Sequence, residues 1–243
     1  MSDTALLLTA TIDVADTPLV KRRSADVRMR DYMGACERWL REGAFHKIIF
    51  CENSGQDPTL LARRVAKWNA NATLEVLTYK EPPYPPSLGK GYGELSIITF
   101  ALQHSRLLID GTKIVKVTGR YYVNNIDALI QPLERPDVDV VCDIRRGLTF
   151  ADSRAFGASA PFLRRYLCPL TADANDSGGV YMEHLLARAT LRAIADGGRW
   201  VPPADSLDIV GVSATTGAAY RRSWIHRTSR SALHKVKNWS LFR

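Results

Sequence analysis

Short apolar runs alternate with longer amphipathic stretches over the first 80 residues of the chain. The runs within residues 5–12, 46–55 and 73–80 contain β-branched side chains and are typical of strands buried on both faces. Residues 24–43 and 58–71 are predicted to form helices, and in the first of them apolar side chains recur at helical spacing. This order predicts a Rossmann-like α/β fold, with a mostly parallel sheet flanked by helices.

Residues 89–125 carry two polar, glycine-containing clusters at the ends of one apolar segment. The cluster GKGYGE (89–94) precedes the helix-like run LSIITFALQHSRLL, and KVTGRY (116–121) lies within the strand-like KIVKVTGRYYVNN. Glycine lets a backbone approach a ligand closely, so glycine beside a cation favours a phosphorylated ligand. Either cluster alone fits a glycine turn with solvated lysines equally well, and neither has the Walker spacing. The candidate binding residues are Lys90, Gly91, Tyr92, Glu94, Lys116, Thr118, Gly119 and Arg120.

The ends of the predicted strands indicate the working edge of the sheet. Ligands of such sheets bind outside the carboxyl ends of the strands, where the loops gather. A long helix that begins at residues 93–94 would present its N-terminal amides to a phosphate there, and Glu94 is either an acid of its first turn or a ligand contact. The further nucleotide-binding candidates at this edge are Thr9, Thr11, Asn53 and Ser54.

The second part of the chain changes character. After a strand over residues 113–123, a short helix over 126–133 and a strand over 137–147, the polar segment TADANDSGG leads into a helix that opens with YMEH. The tail, residues 220–243, interleaves Lys and Arg with Trp, Leu and Phe. Such a tail either lies on an anionic membrane surface or is solvated or packed on its own domain.

The composition is typical of a globular protein, and the net charge indicates an anionic partner. The 243 residues are 46% hydrophobic and 24% charged, which suits one large domain or two small ones. The net charge of +8 fits a nucleotide, a nucleic acid or an acidic membrane surface. The four cysteines are scattered without a C-x-x-C pair, so neither a zinc site nor a disulfide framework is predicted. No basic region precedes the first apolar run, and no run approaches the roughly 20 residues of a membrane span, so we expect a cytoplasmic protein.

The phrases FCENSG, GKGYGE and KVTGRYYVNN resemble those of bacterial polysaccharide-biosynthesis proteins. With the α/β first half and the basic tail, they make residues 6–195 similar to GT-A-fold glycosyltransferases that assemble capsule, O-antigen or other surface polysaccharide. The resemblance implies a GT-A-like domain over residues 1–219. Its first half (1–145) would bind a UDP, GDP or CMP sugar, and its second half (146–219) a glycan or lipid-linked acceptor. The tail would contact the inner face of the plasma membrane.

The chain departs from this family at the metal site. GT-A enzymes usually carry Asp-x-Asp after the central strand, where it binds a divalent metal at the diphosphate. The corresponding segment here is KVTGR, and the Asp-x-Asp at residues 137–139 lies at the wrong end of its strand. We therefore expect Lys90, Lys116 or Arg120 to supply the positive charge, with no bound metal; Mn²⁺ or Mg²⁺ is the alternative.

Two carboxylates are candidates for the general base. An inverting transfer needs a carboxylate that takes the proton of the attacking acceptor hydroxyl. The resemblance implies Glu183, because GT-A enzymes commonly keep an acid at the start of a helix in the second half. A glutamate that only complements the helix dipole fits this position equally well. Asp152, two residues before Arg154, would act as the base, bind sugar hydroxyls, or form a turn salt bridge.

Two other classes of protein fit part of the pattern. A sugar nucleotidyltransferase has a similar fold, but it would carry a glycine- and arginine-rich phosphate loop after its first strand, and residues 10–28 lack the glycines. A nucleic-acid-binding protein would use the charge of +8 and the basic tail. The polar clusters, however, gather at predicted strand ends and not on one basic face. Glycosyl transfer, as the resemblance implies, is therefore our expectation, without nucleic acid as a partner.

Overall fold

The computed structural model describes residues 4–14, 24–57, 59, 62, 63, 72–212, 219 and 220. Most of the helix predicted over 58–71, and all of the basic tail after residue 220, lie outside these residues.

The described strands form one large sheet and two small ones. They are β1 (Ala5–Ala10), β2 (Lys47–Glu52), β3 (Thr73–Thr78), β4 (Lys113–Thr118), β5 (Tyr121–Val123), β6 (Val140–Val141), β7 (Ile144–Arg145), β8 (Phe150–Ala151), β9 (Ala155–Ser159), β10 (Trp200–Val201), β11 (Ile209–Val212) and β12 (Ala219–Tyr220). The large sheet has the order β10-β6-β9-β4-β1-β2-β3. Its β1, β2, β3 and β4 are parallel, and β9 runs antiparallel between β4 and β6.

Helices cover both faces of this sheet. They are α1 (Ala25–Glu42), α2 (Gly89–His104), α3 (Asp127–Leu133), α4 (Ala160–Phe162) and α5 (Met182–Ala195). Helix α4 continues through a π-helical turn and a 3₁₀ segment to Asp173, and a 3₁₀ turn over Pro86–Leu88 leads into α2. None of the described helices has the length and apolarity needed to cross a membrane.

Each face of the sheet has its own hydrophobic core. On one face, Trp39 of α1 and Leu129 of α3 pack with alternate residues of β1 and β2 such as Leu8. On the other face, Ile98 of α2 and Leu185 of α5 pack with the intervening strand residues. Because strand residues alternate between faces, a strand buried on both sides is mostly apolar, and a buried polar side chain such as Lys116 needs a partner. The predicted mostly parallel α/β sheet is confirmed.

Three predicted boundaries were wrong. Helix α2 begins at Gly89, so GKGYGE forms its first turns and does not precede it. The strand predicted over 113–123 divides at residues 119–120 into β4 and β5, and β5 pairs with β11 in another sheet. At that division the Gly119 amide donates to the Thr9 carbonyl over 2.8 Å, and a Cβ on Gly119 would lie 2.9 Å from this oxygen. The strand predicted over 137–147 likewise divides into β6 and β7.

Candidate functional site

A cavity of about 260 Å³ lies at the carboxyl ends of β1 and β4, between α2 and the start of α5. This is the edge at which the strand-end rule predicts ligand binding. The predicted site residues that line it are Thr9, Thr11, Lys90, Gly91, Glu94, Thr118, Arg120 and Glu183. The predicted residues that do not line it are Asn53, Ser54, Tyr92, Lys116, Gly119 and Asp152.

An ion pair between a fully buried lysine and a carboxylate of the cavity lining lies next to the cavity. The Lys116 ammonium is wholly shielded from solvent, is paired with the Glu94 carboxylate, and donates to the Ser153 carbonyl over 2.7 Å. Glu94 Oε1 also accepts from the hydroxyls of Thr9 and Thr118, each over 3.1 Å. Burial alone would raise the pKa of Glu94, but Lys116 and the Thr118 hydroxyl lower it, so this carboxylate is ionised. Lys116 itself does not line the cavity, but it contacts Glu94, which does. Direct contact of Lys116 with a phosphate stays a prediction.

Glu183 lies in the first turn of α5 and faces the cavity. The Ser153 hydroxyl donates to Glu183 Oε1 over 2.9 Å. Burial raises the pKa of Glu183, and the negative charges of Glu94 and Asp152 raise it further, against the hydrogen bond from Ser153. A carboxylate with a raised pKa is a stronger base, so this position suits proton transfer at neutral pH.

Two guanidinium groups meet at one hydroxyl on the cavity wall. Arg28 Nη2 donates to Tyr32 Oη over 3.1 Å, and Arg120 Nη1 donates to the same oxygen over 3.2 Å. Arg28 Nε also donates to the Thr11 carbonyl over 2.9 Å, and Arg120 Nε donates to the Val212 carbonyl over 3.1 Å. These bonds hold the two cations beside each other, which is an arrangement suited to an anionic ligand such as a phosphate.

The glycines of GKGYGE make room for a carboxylate from the second half of the chain. Gly89 has φ of 70°, and a Cβ there would come within 2.3 Å of the Asp176 side chain. The Lys90 amide donates to Asp176 Oδ2 over 2.8 Å. Burial raises the pKa of Asp176, against the opposing effects of Lys90 and the Gly91 amide. An acidic side chain therefore already contacts the N-terminus of α2, where the sequence predicted a phosphate.

Asn53 and Ser54 hold the loop after β1 and do not reach the cavity. The Thr11 hydroxyl donates to Asn53 Oδ1 over 2.7 Å, and the Asp13 amide donates to the Ser54 hydroxyl over 3.0 Å. The buried Glu52 carboxylate binds the same loop through the Ile12 amide, over 3.0 Å. These residues set the path of the loop at the cavity edge, and their contact with a nucleotide stays a prediction.

Asp152 and Tyr92 also make contacts outside the cavity. Asp152 accepts from Arg154 Nε over 2.8 Å and lies 3.7 Å from the Arg145 guanidinium. Burial would raise the pKa of Asp152, but Arg154 and Arg145 lower it, which makes this carboxylate a weak base. The ring of Tyr92 packs against the ring of Tyr84, with centroids 4.5 Å apart.

The described part of the chain contains no group of three or more His, Cys, Asp or Glu that could hold a metal ion. The Asp-x-Asp at residues 137–139 binds Arg199 instead: Asp137 forms an ion pair with its guanidinium, and Asp139 accepts from its amide over 2.9 Å. A metal-independent reaction stays a prediction.

Sequence reasoning missed several residues that line the cavity. They include Arg28, Tyr32, Tyr84, Ser153, Arg154 and Asp176. Arg28 and Tyr32 are one turn apart on α1, so a polar pair on an otherwise apolar helix face was an available signal. Nothing local in the sequence distinguishes Asp176 from the other aspartates of its segment, since its partners are more than 80 residues away.

Several solved structures have a similar arrangement of helices and strands. One is a protein from Desulfovibrio desulfuricans G20 that is described as a nucleotide-diphospho-sugar transferase. Its sequence is 9% identical, and the match has a TM-score of 0.47 and covers 83% of this chain and 80% of that one. A cytidylyltransferase from Leptospira borgpetersenii serovar Hardjo-bovis has 11% identity and a TM-score of 0.42 over 83% and 76%. A protein from Bacillus anthracis described as a glucose-1-phosphate thymidylyltransferase, in complex with a sucrose, has 8% identity and a TM-score of 0.48 over 96% and 95%. No family model and no curated protein matches the sequence.

Proposed function

We propose that this protein is a glycosyltransferase that moves a sugar from a UDP, GDP or CMP donor to a hydroxyl of a glycan or lipid-linked acceptor. The observation that carries the proposal is that Glu183, whose pKa is raised, lines the same cavity as the paired cations Arg28 and Arg120. A base for the acceptor proton and positive charge for the leaving phosphate are the two requirements of an inverting transfer.

In this mechanism Glu183 takes the proton of the acceptor hydroxyl while the oxygen forms a bond to the anomeric carbon. The bond from that carbon to the phosphate oxygen breaks, and its electron pair leaves with the nucleotide. Arg28 and Arg120 stabilise the negative charge on the departing phosphate. Ser153 orients Glu183 through the hydrogen bond to Oε1.

The positive charge in this mechanism comes from side chains and not from a metal. Arg120 keeps the role predicted for it, and Arg28 joins it because both bind the hydroxyl of Tyr32. Lys90 also lines the cavity and adds positive charge beside Asp176.

The place of the reaction in bacterial surface polysaccharide synthesis is part of the proposal and rests on the phrases FCENSG, GKGYGE and KVTGRYYVNN. Peripheral membrane contact by the basic tail, and a cytoplasmic location at the inner membrane face, belong to the same proposal. The tail after residue 220 lies outside the described residues.

The test incubates the full chain with UDP, GDP and CMP sugars and candidate glycan acceptors, with EDTA or with Mn²⁺, and measures nucleotide release. We expect one donor class to release its nucleotide in EDTA, and Glu183→Gln to suppress this release. Release only with Mn²⁺ would contradict the metal-free mechanism. Pyrophosphate formation from a nucleoside triphosphate and a sugar phosphate would contradict glycosyl transfer itself and identify a nucleotidyltransferase.

A further inference from the structure

We propose that the ring of Tyr181 is the surface on which the acceptor sugar stacks, so that the acceptor is a pyranose with an apolar C–H face. This inference rests on the proposed function and deepens it, because it names the feature of the acceptor that the cavity selects. Glu183 takes the proton of an acceptor hydroxyl, and Tyr181 holds the sugar ring that carries this hydroxyl.

Tyr181 exposes an aromatic ring inside the cavity. It is the residue immediately before α5 and lines the cavity together with Glu183. Its exposed fraction is 39%, although an apolar ring gains free energy when it is shielded from water. The described part of the chain has other large apolar side chains that are exposed, and none of these lines the cavity: Ile109, Leu148, Leu191 and Ile194. Tyr181 therefore offers a ring that a ligand in the cavity can cover.

The first turn of α5 holds the Tyr181 ring in place. The ring stacks on the His184 imidazole, with centroids 5.6 Å apart and ring planes at 27°. The His184 ring in turn lies edge-on to the ring of Phe150, with centroids 5.4 Å apart. The Tyr181 amide donates to His184 Nδ1 over 3.2 Å, so His184 fixes the backbone as well as the ring. A ring held in this way loses little side-chain freedom when a ligand binds, which favours affinity.

Tyr181 lies on the side of the cavity that carries the proposed base. Arg28 lies on α1, which packs on one face of the large sheet, whereas Tyr181 and Glu183 stand at the start of α5, which packs on the other face. The cation and the aromatic ring therefore approach the cavity from opposite faces of the sheet. Since a general base must lie within hydrogen-bond reach of the attacking hydroxyl, the acceptor binds at the end of the cavity near Glu183.

An exposed tyrosine ring selects an apolar face. The face of an aromatic ring is its electronegative part, and it attracts C–H groups, which are weakly positive. A pyranose with several C–H groups on one side presents such a surface, and stacking removes both surfaces from water. A phosphate would lose hydration against the ring without a hydrogen bond in return. A nucleobase also stacks on aromatic side chains, but at Tyr181 it would occupy the place beside Glu183 that the acceptor hydroxyl needs.

The experiment measures transfer by the full chain as the acceptor concentration is varied, and separately measures donor binding by titration calorimetry. The donors are UDP-glucose, UDP-N-acetylglucosamine, GDP-mannose and CMP-N-acetylneuraminate, and the acceptors are methyl β-galactopyranoside, methyl β-glucopyranoside and methyl α-mannopyranoside. Tyr181→Ala removes the ring, and Tyr181→Phe keeps the ring without its hydroxyl. Leu191→Ala is the matched control, because Leu191 lies on α5, is 40% exposed and does not line the cavity.

We expect Tyr181→Ala to raise the KM for the acceptor about tenfold, or about 1.4 kcal/mol, and to leave the dissociation constant of the donor unchanged. Tyr181→Phe should keep most of the wild-type affinity for the acceptor, and Leu191→Ala should change neither constant. An unchanged acceptor KM in Tyr181→Ala would overturn the inference. Weaker donor binding in Tyr181→Ala would also overturn it, because the ring would then stack on the nucleobase.

Failure of the proposed function would give a different result, in which the wild-type protein transfers no sugar from any of the donors. Binding alone then tests the inference, through saturation-transfer NMR with the same three methyl glycosides and with uridine, guanosine and cytidine. Signals from the C–H groups of one sugar face that are present in the wild type and lost in Tyr181→Ala support it. Sugar signals that are absent in the wild type or unchanged in Tyr181→Ala overturn it, as do nucleoside signals that depend on Tyr181.

Discussion

The Lys116 ammonium forms an ion pair with the Glu94 carboxylate and is completely buried, whereas Glu94 keeps 19% of its side-chain exposure and lines the cavity. The pair joins β4 to α2, the two elements that carry the polar glycine clusters. Ser153 connects this pair to the proposed base: its carbonyl accepts a hydrogen bond from Lys116, and its hydroxyl donates one to Glu183. The stability of the fold and the geometry of the cavity therefore depend on the same two side chains.

Lys116→Met should destabilise the protein by about 3–5 kcal/mol, because it leaves the Glu94 carboxylate without its buried partner. Lys113→Met is the matched control on the same strand, since Lys113 bonds the Val138 carbonyl and, among the described residues, is near Asp139 and Asp137 without forming an ion pair. Lys113→Met should lower the free energy of unfolding by about 1 kcal/mol. Urea unfolding of both variants measures the two free energies of unfolding. Equal decreases would mean that the ion pair of Lys116 and Glu94 has no special role in stability.

The strands were predictable because burial on both faces leaves a mostly apolar run such as Ala5–Ala10, all of whose residues are buried. The edge that carries the site followed from the same pattern. Parallel pairing sets Thr9 opposite Thr118 and Ala10 opposite Glu52, so their loops had to meet.

The contacts within the site were not predictable in the same way. Lys90 and Asp176 are 86 positions apart, and no local pattern links them. The sequence predicts that the glycines near Lys90 let the backbone approach a ligand phosphate, whereas in the structure Gly89 accommodates a protein carboxylate. Lys116 is predicted to bind a phosphate because a cation beside glycine favours such a ligand. In the structure it is buried and paired with Glu94, and its contact with a phosphate stays a prediction.

Glu183→Gln should lower the transfer rate by about 10²- to 10⁴-fold and leave donor affinity nearly unchanged, because it removes the base and keeps the shape. The measurement is kcat beside the dissociation constant of the donor. His104→Gln, at an exposed position on α2, serves as a variant outside the site. A fall in donor affinity with an unchanged kcat would contradict the assignment of Glu183 as base.

The same variant tests the pKa of Glu183 through stability. Burial raises the folded pKa above the unfolded value of about 4.5, so the folded protein binds this proton more tightly than the unfolded chain does. The contribution of Glu183 to stability therefore falls as pH rises from the unfolded pKa through the folded pKa. Glu183→Gln should become more stable relative to wild type over that window, and denaturant titrations at several pH values measure the difference.

Ser153→Ala should shift the acidic limb of the pH–rate profile to higher pH. The Ser153 hydroxyl stabilises the ionised carboxylate of Glu183, so its removal raises the pKa of Glu183 further. Ser105→Ala removes a hydroxyl bonded to Glu75, away from the cavity, and should leave the profile in place. An unshifted profile in Ser153→Ala would mean that Glu183 does not control the acidic limb.

Arg120→Met should weaken nucleotide binding by about 10- to 100-fold, because a hydrogen bond to a charged group contributes about 1.5–3 kcal/mol. Arg120→Lys keeps the charge and should recover part of this loss, without the two-point contact of the guanidinium. Arg106→Met is the control, since Arg106 is 93% exposed in its ion pair with Glu75. Calorimetry at two salt concentrations measures the effect, and identical affinities for Arg120→Met and wild type would remove Arg120 from the phosphate site.

Gly89→Ala should destabilise the protein by about 1–3 kcal/mol more than Gly111→Ala, because only the first substitution also overpacks a filled space. Both glycines have positive φ, of 70° and 90°, and Gly89 also has ψ of −158°, a combination that essentially only glycine adopts, so alanine at residue 89 meets backbone strain as well as overpacking. A Cβ on Gly111 would meet nothing within 4 Å, whereas a Cβ on Gly89 would lie 2.3 Å from Asp176. The difference between the two unfolding free energies therefore contains the overlap with Asp176 together with the backbone strain at residue 89. If Gly89→Ala costs no more than Gly111→Ala, the carboxylate does not lie against the start of α2, and the glycines again become available to a ligand.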